Sequence, residues 1–336
     1  MYLRLVSIVI FMSLPALSAE AATEILVSPQ TADAVVYGPM ASNLGWVRMS
    51  ASSGDLNEDG IDDLVMGLSE LPPTGVKRNA GKVFVVYGRT PFPQIVDLAS
   101  APPDVTIEGA EENDYAGFAV LVADLNCDRM DDIVVSAAGL DGYVSVFFGP
   151  NLPAVIDLAV DAPDVIIHGR LRRDKLAQRM ESGDFNGDLC DDLAIGTEYG
   201  SGGYTPGIGD VGEGYVFFGG PNLPSVIDLA VDAADATIYG KEIGDRLAMT
   251  LATGDFNDDG NDDLLLGSAG SGQATVFFGG TGLPGLHDMR FVDPDLAVFK
   301  VEPPTFGSYV GAGDINGDAI GDVLAVSPGR SEPSRL

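Results

Sequence analysis

The 336-residue sequence predicts an all-β fold: a β-propeller of four-stranded antiparallel blades, with five repeats present and the last incomplete. Three observations predict it. An acidic ten-residue motif recurs five times, at 54–63, 123–132, 183–192, 254–263 and 313–322. An apolar strand ending in aromatic-Gly follows four of the copies, as "KVFVVYG", "YVSVFFG", "GYVFFG" and "ATVFFG". Every local signal is β or turn, with short apolar runs bounded by glycine or small residues.

The N-terminus reads "MYLRLVSIVIFMSLPALSAEAAT". Arg4, an apolar core from Leu5 to Leu17 and the Ala19-Glu20-Ala21 site form an export signal over residues 1–21, too short for a spanning helix. The alternative for this stretch is a buried N-terminal strand. Residues 22–336 are then the propeller, with repeats at about 44–109, 115–169, 175–240, 246–300 and 306–336. The mature chain is expected to be secreted, periplasmic or at the cell surface, without inserting into a membrane.

The first aspartates of the motif fall at 55, 124, 184, 255 and 314, so the repeat is 59 to 71 residues long. That is the size of a four-stranded blade. In the second repeat the strands are expected at about 115–122, 132–137, 143–148 and 164–168, with the acidic loop between the first two. "NLPAVIDLAVDAPDVIIHG" (151–169), nearly copied at 222–240, links strand three to strand four. "AVVYG" (34–38) matches the fourth strands and is expected to be the outer strand of a last blade, with partners from the C-terminus. The fifth repeat has no aromatic-Gly strand. The expectation is a fragment of a larger propeller or a ring with a defective seam.

A solvated acidic loop has no reason to keep its spacing, and these loops keep it. Position 1 is Asp55, Asp124, Asp184, Asp255 and Asp314. Position 3 is Asn57, Asn126, Asn186, Asn257 and Asn316. Position 5 is Asp59, Asp128, Asp188, Asp259 and Asp318, and position 9 is Asp63, Asp132, Asp192, Asp263 and Asp322. Oxygens at 1, 3, 5 and 9 suit a hard cation such as calcium. Position 7 (Ile61, Met130, Cys190, Asn261 and Ile320) would add a backbone carbonyl. Up to five Ca²⁺ ions are expected. This is not an EF-hand, because position 12 is apolar or Ala in every copy where that motif needs a bidentate Glu. Gly60 and Gly260 at position 6 turn with positive φ at no steric cost, so the loops from Asp55 and Asp255 are expected to bind tightest. The alternative is a set of decorative acidic turns.

The formal charge of −32 makes nucleic acid an improbable partner. The two cysteines, Cys127 and Cys190, occupy variable positions of different loops and are expected to be unpaired thiols; the alternative is a disulfide between neighbouring repeats, which needs Cα atoms closer than about 7 Å. No catalytic set stands out. His168 sits at the variable end of an outer strand, His287 in a linker, and "GSAGSG" (267–272) precedes a strand rather than the helix a phosphate loop needs. The chain is therefore read as a non-enzyme, with a polysaccharide hydrolase or lyase as the alternative.

The order of a small-Gly strand, "GD-x-N-x-D-G-x-x-D-L" and "VYVFFG" over about residues 34–329 resembles the FG-GAP repeat, which builds the propeller of integrin α-subunits. The Phe-Gly pair itself stands only at Phe306-Gly307; "LGW" (44–46), "AGF" (116–118), "KLA" (175–177) and "RLA" (246–248) replace it elsewhere. The resemblance implies that the acidic loops bind calcium on the lower face of the ring. It implies that the 2–3 and 4–1 loops face the other way, where integrins meet ligands. On that upper face stand Lys77, Arg78, Tyr199, Tyr204 and the basic loop with Arg170, Arg172 and Arg173. The function expected is an adhesion or recognition module that docks an extracellular protein or glycan there. The alternatives are a carbohydrate-binding propeller and a structural part of a larger exported protein.

Overall fold

The computed structural model describes residues 8–11, 34–37, 49–69, 77–98, 100–171, 174–201, 210–299 and 307–326. Four sheets are antiparallel meanders at the expected period. The first runs Met49–Gly54, Asp63–Leu68, Lys82–Val86 and Val105–Glu108. The second runs Ala116–Ala123, Asp132–Ala137, Tyr143–Phe147 and Val165–His168. The third runs Arg179–Gly183, Asp192–Thr197, Glu213–Phe217 and Ala236–Tyr239. The fourth runs Thr250–Gly254, Asp263–Ser268, Gln273–Phe277 and Leu296–Phe299. The fifth repeat contributes two described strands, Tyr309–Gly313 and Asp322–Val326. The acidic motif is in each case the hairpin between a blade's first and second strands.

The blades pack face to face, and the apolar core lies between them. One cluster joins blades one and two through Val65, Val83, Val120 and Ile133. Another joins blades two and three through Leu121, Val134, Met180 and Ile195. A third joins blades three and four through Val216, Leu251 and Leu264. The second strands of blades two, three and four are buried along their whole length. This is why they read as unbroken apolar runs rather than alternating ones. Each such aliphatic side chain contributes about 1.5–3 kcal/mol on burial.

The "VID" segment of each linker does more than connect. Val155–Asp157 leaves its own blade and adds to the outer edge of the preceding one, parallel to Val105–Glu108. Val226–Asp228 does the same on Val165–His168, and Gly285–Asp288 on Ala236–Tyr239. These straps cover edges that would otherwise present unpaired N–H and C=O groups. Ile95–Asp97 pairs in the same way with Ala34–Tyr37, giving that strand the outer place expected of "AVVYG". Among the described residues its other neighbour is Ile8–Phe11, parallel to it, not a C-terminal strand. Ile8–Phe11 lies inside the segment read as an export signal.

The divergent Phe-Gly positions keep one backbone conformation. Gly117, Ala177, Ala248 and Gly307 all have φ between 58° and 77°. Ala177 and Ala248 hold a left-handed geometry that costs an L-residue about 1–2 kcal/mol. Both alanines are buried in the clusters that join blades two and three and blades three and four.

Glu181, on the innermost strand of blade three, shows a cost of burial. Removal from water pushes its carboxyl up from 4.5 to about 7. The folded state therefore binds a proton more tightly than the unfolded chain. Its destabilising contribution is absent below about pH 4.5, grows as pH rises, and is complete above about pH 7. Glu181→Gln is expected to raise stability at pH 8 by about 2–3 kcal/mol and leave it nearly unchanged at pH 4. Urea unfolding at the two pH values checks this.

Candidate functional site

All five acidic loops adopt one geometry. The position-1 carboxylate accepts the N–H of position 5 at 3.0–3.2 Å and of position 6 at 2.8–2.9 Å. The position-3 Asn oxygen accepts the same position-5 N–H at 2.9 Å in every copy. The position-5 carboxylate accepts the N–H of position 7. Short polar side chains are thus bonded to the backbone a few residues on, which is how Asx turns form.

The position-9 aspartate is different, because it is buried. Asp63, Asp132, Asp192 and Asp263 are at most 1% exposed. One oxygen accepts the N–H of position 2 at 2.8–3.0 Å. The other accepts the N–H of the glycine that ends strand three, at 2.7–3.1 Å. This residue bolts the loop to its own blade. It also explains the aromatic-Gly signature: a Cβ on Gly219 would stand 2.1 Å from the Asp191 carbonyl oxygen, and one on Gly279 2.3 Å from that of Asp262. Burial pushes the carboxyls of Asp132 and Asp192 up to about 7, and that of Asp63 to about 6. Nearby loop aspartates push each in the same direction.

Position 8 carries a role not assigned from the sequence. The Asp131 carboxylate accepts the N–H of Asp55, in the preceding blade's loop, at 2.7 Å. Asp191 reaches Asp124 at 3.0 Å and Asp262 reaches Asp184 at 2.9 Å. Successive loops are therefore latched in series. Gly321 has no carboxylate to offer and donates its own N–H to the Asp255 carbonyl instead. The doubled aspartate at positions 8 and 9 of four copies was the available signal.

Two further findings alter the sequence reading of these loops. Cys127 and Cys190 are not unpaired thiols but a disulfide, with Cα atoms 5.2 Å apart. The latching of adjacent loops brings position 4 of one beside position 7 of the next, a juxtaposition that spacing along one chain does not reveal. Position 4 is also left-handed throughout, at Glu58, Cys127, Gly187, Asp258 and Gly317. So is position 6, at Gly60, Arg129, Leu189, Gly260 and Ala319. Only the loop from Asp124 lacks glycine at both.

The donors offered are all oxygen: three carboxylates, an amide and the position-7 carbonyl, a set whose chemistry fits a hard divalent cation. Among the described residues no three Asp, Glu, His or Cys side chains stand close enough to hold an ion unaided. As arranged, the carboxylates are turned onto backbone N–H groups.

The opposite face carries the 2–3 and 4–1 connections, as the antiparallel order requires. Lys77 reaches the Gly109 carbonyl and Asp157, each at 3.2 Å. Arg78 is exposed. Arg170, expected to project as part of a basic docking loop, is instead committed inward. Its guanidinium pairs with the fully buried Glu213, which also takes the Tyr215 hydroxyl, and it lies 5.8 Å from the Tyr239 ring centre. A buried carboxylate needs such a partner. Tyr199 carries Lys175 on its ring at 5.0 Å and Arg246 at 5.8 Å. Arg172, Arg173 and Tyr204 lie outside the described residues. His168 ends an outer strand, and His287 is in a strap with Nε2 2.7 Å from the Leu283 carbonyl oxygen. Among the described residues no helix is long and apolar enough to cross a membrane.

No protein-family model matches the chain. It is similar to phosphatidylinositol-glycan-specific phospholipase D of Homo sapiens, 30% identical over 230 residues that make up 62% of this chain and 25% of that protein. The Bos taurus protein of that name is 30% identical over 210 residues, covering 60% and 24%. Integrin alpha-5 of Xenopus laevis is 25% identical over 268 residues, covering 76% and 23%. The chain thus spans about a quarter of the length of these relatives.

Proposed function

We propose that this chain is an exported, calcium-stabilised β-propeller that serves as a non-catalytic recognition module. The observation that carries the reading is the fivefold identity of the acidic loops. Five copies keep the same oxygen donors and the same turn. Four of them hold a buried carboxylate among like charges, which costs stability unless a cation offsets it. Calcium would be held by positions 1, 3, 5 and 9 with the position-7 carbonyl. It would supply positive charge where the loops concentrate negative charge, and it would tie each loop to its blade. Left-handed non-glycine residues at both positions 4 and 6 make the loop from Asp124 the weakest of the five. The residues numbered 1–21 would direct export and be removed. The similarity to an integrin α-subunit supports recognition.

Calcium binding at roughly 10⁻⁴–10⁻³ M, as in extracellular modules, would add about 1.4 kcal/mol per site at ten times Kd. The melting temperature is therefore expected to rise by several degrees in 10 mM CaCl₂ and to fall in EDTA, with Mg²⁺ less effective. A melting temperature indifferent to both reagents would remove calcium from the reading. The relatives named as phospholipase D motivate a second reading, an enzyme acting on phosphatidylinositol-glycan. Release of phosphatidic acid and free inositol-glycan from such a substrate by the purified chain would establish it in place of the non-catalytic one.

A further inference from the structure

We infer that a cleft between blades two and three, on the face opposite the acidic loops, binds an acidic saccharide. The cleft has a volume of about 400 Å³, enough for one or two sugar rings. Its walls come from four connections, carrying Tyr115, Leu140, Lys175 with Gln178, and Tyr199, and from Phe118 of the strand Ala116–Ala123. Three aromatic rings around one small cleft offer flat apolar faces that suit the C–H face of a sugar ring.

Two polar features give the site its chemistry. The first is Lys175. Six of the described lysines and arginines pair with carboxylates: Lys77, Lys82, Arg89, Arg170, Arg246 and Arg290. Lys175 has no carboxylate within ion-pair distance among the described residues. Its ammonium rests instead on the Tyr199 ring, at 5.0 Å. That ring is held in turn by Arg246 on its other contact, at 5.8 Å. In a chain with 50 acidic and 18 basic residues, an ammonium without a counter-ion at the mouth of an aromatic cleft is a place for an anion. The second is Gln178. It lines the cleft, is only 8% exposed, and among the described residues its Oε1 has no hydrogen-bond donor. A buried amide oxygen without a donor is destabilising, and a ligand hydroxyl is a donor of the right kind. An anionic group on Lys175, a ring against Tyr115 and a hydroxyl toward Gln178 describe a sugar bearing a carboxylate, sulfate or phosphate.

This assignment names the ligand class for the recognition role proposed above and rests on it. Calorimetric titration of the full chain with tetragalacturonate, galactose oligomers of the same length and inorganic sulfate tests it, in calcium-containing buffer at 50 and 300 mM NaCl. The acidic oligomer is expected to bind at least 10-fold more tightly than the neutral one, and less tightly at high salt. Lys175→Met should weaken the acidic oligomer at least 10-fold and leave the melting temperature unchanged. Tyr115→Ala should weaken both oligomers. Absence of acidic-oligomer binding, equal binding by Lys175→Met, or equally tight binding of sulfate alone would overturn the site. A protein captured on the upper face with no saccharide binding would overturn this inference and leave the recognition role standing.

Discussion

Asp192→Ala is expected to lower the unfolding free energy by about 2–5 kcal/mol, an effect of the size expected for the buried position-9 aspartates. Asp192 is fully buried, and its two oxygens take the N–H groups of Phe185 at 2.9 Å and Gly219 at 2.8 Å. Alanine leaves both donors enclosed without a partner, at about 1–3 kcal/mol each. Phe185, whose own N–H is one of those donors, is itself fully buried between blades three and four. The loosened loop therefore disturbs the core as well as the turn. Asp188→Ala is the control, because that residue is exposed and only holds the Cys190 N–H at 2.9 Å. It should cost less than about 1 kcal/mol. Urea midpoints for the two variants decide the matter, and equal midpoints would show that position 9 is no more than another turn residue. If calcium binds as proposed, Asp192→Ala should also lose one site's share of the calcium-induced rise in melting temperature.

The second large effect concerns the disulfide. Cys127 and Cys190 are 63 residues apart, and closing a loop of that length removes unfolded-state entropy equivalent to about 4 kcal/mol. The Cys127→Ser, Cys190→Ser double variant is expected to lose most of that amount, and reduction of the native chain should lose the same. The bond joins the loops already latched by the Asp191 carboxylate on the Asp124 N–H. Loss of the disulfide should thus be felt first between blades two and three. Hydrogen exchange of the two loops in the reduced protein reads this directly. A loss below about 1 kcal/mol would mean that the latch and the core between these blades hold the pair without the bond.

Much of the architecture was legible because the repeat states it five times. Periodic aspartates placed the hairpins, and apolar runs after position 9 placed the second strands. The residues before each glycine placed the third strands, so Asp132–Ala137 and Tyr143–Phe147 fall within one residue of expectation. These are local properties: a turn needs its own Asx residues, and a strand buried on both faces needs an unbroken apolar run.

The contacts between repeats were not legible. The strap Val155–Asp157 reads as linker, because nothing in its three residues says which blade it joins. Arg170 reads as a free surface cation, because its buried partner Glu213 lies 43 residues away on another blade. Lys175, Gln178 and Tyr115 share no motif and meet only where two blades close together. The sequence by itself determined the blade, its turn chemistry and the acidic loops, since each is decided by residues adjacent along the chain. Only the tertiary structure decided what blades do to one another: the position-8 latches, the disulfide, the straps and the cleft. Each depends on distances between segments some 60 residues apart, which the packing of apolar faces sets and the local pattern does not encode.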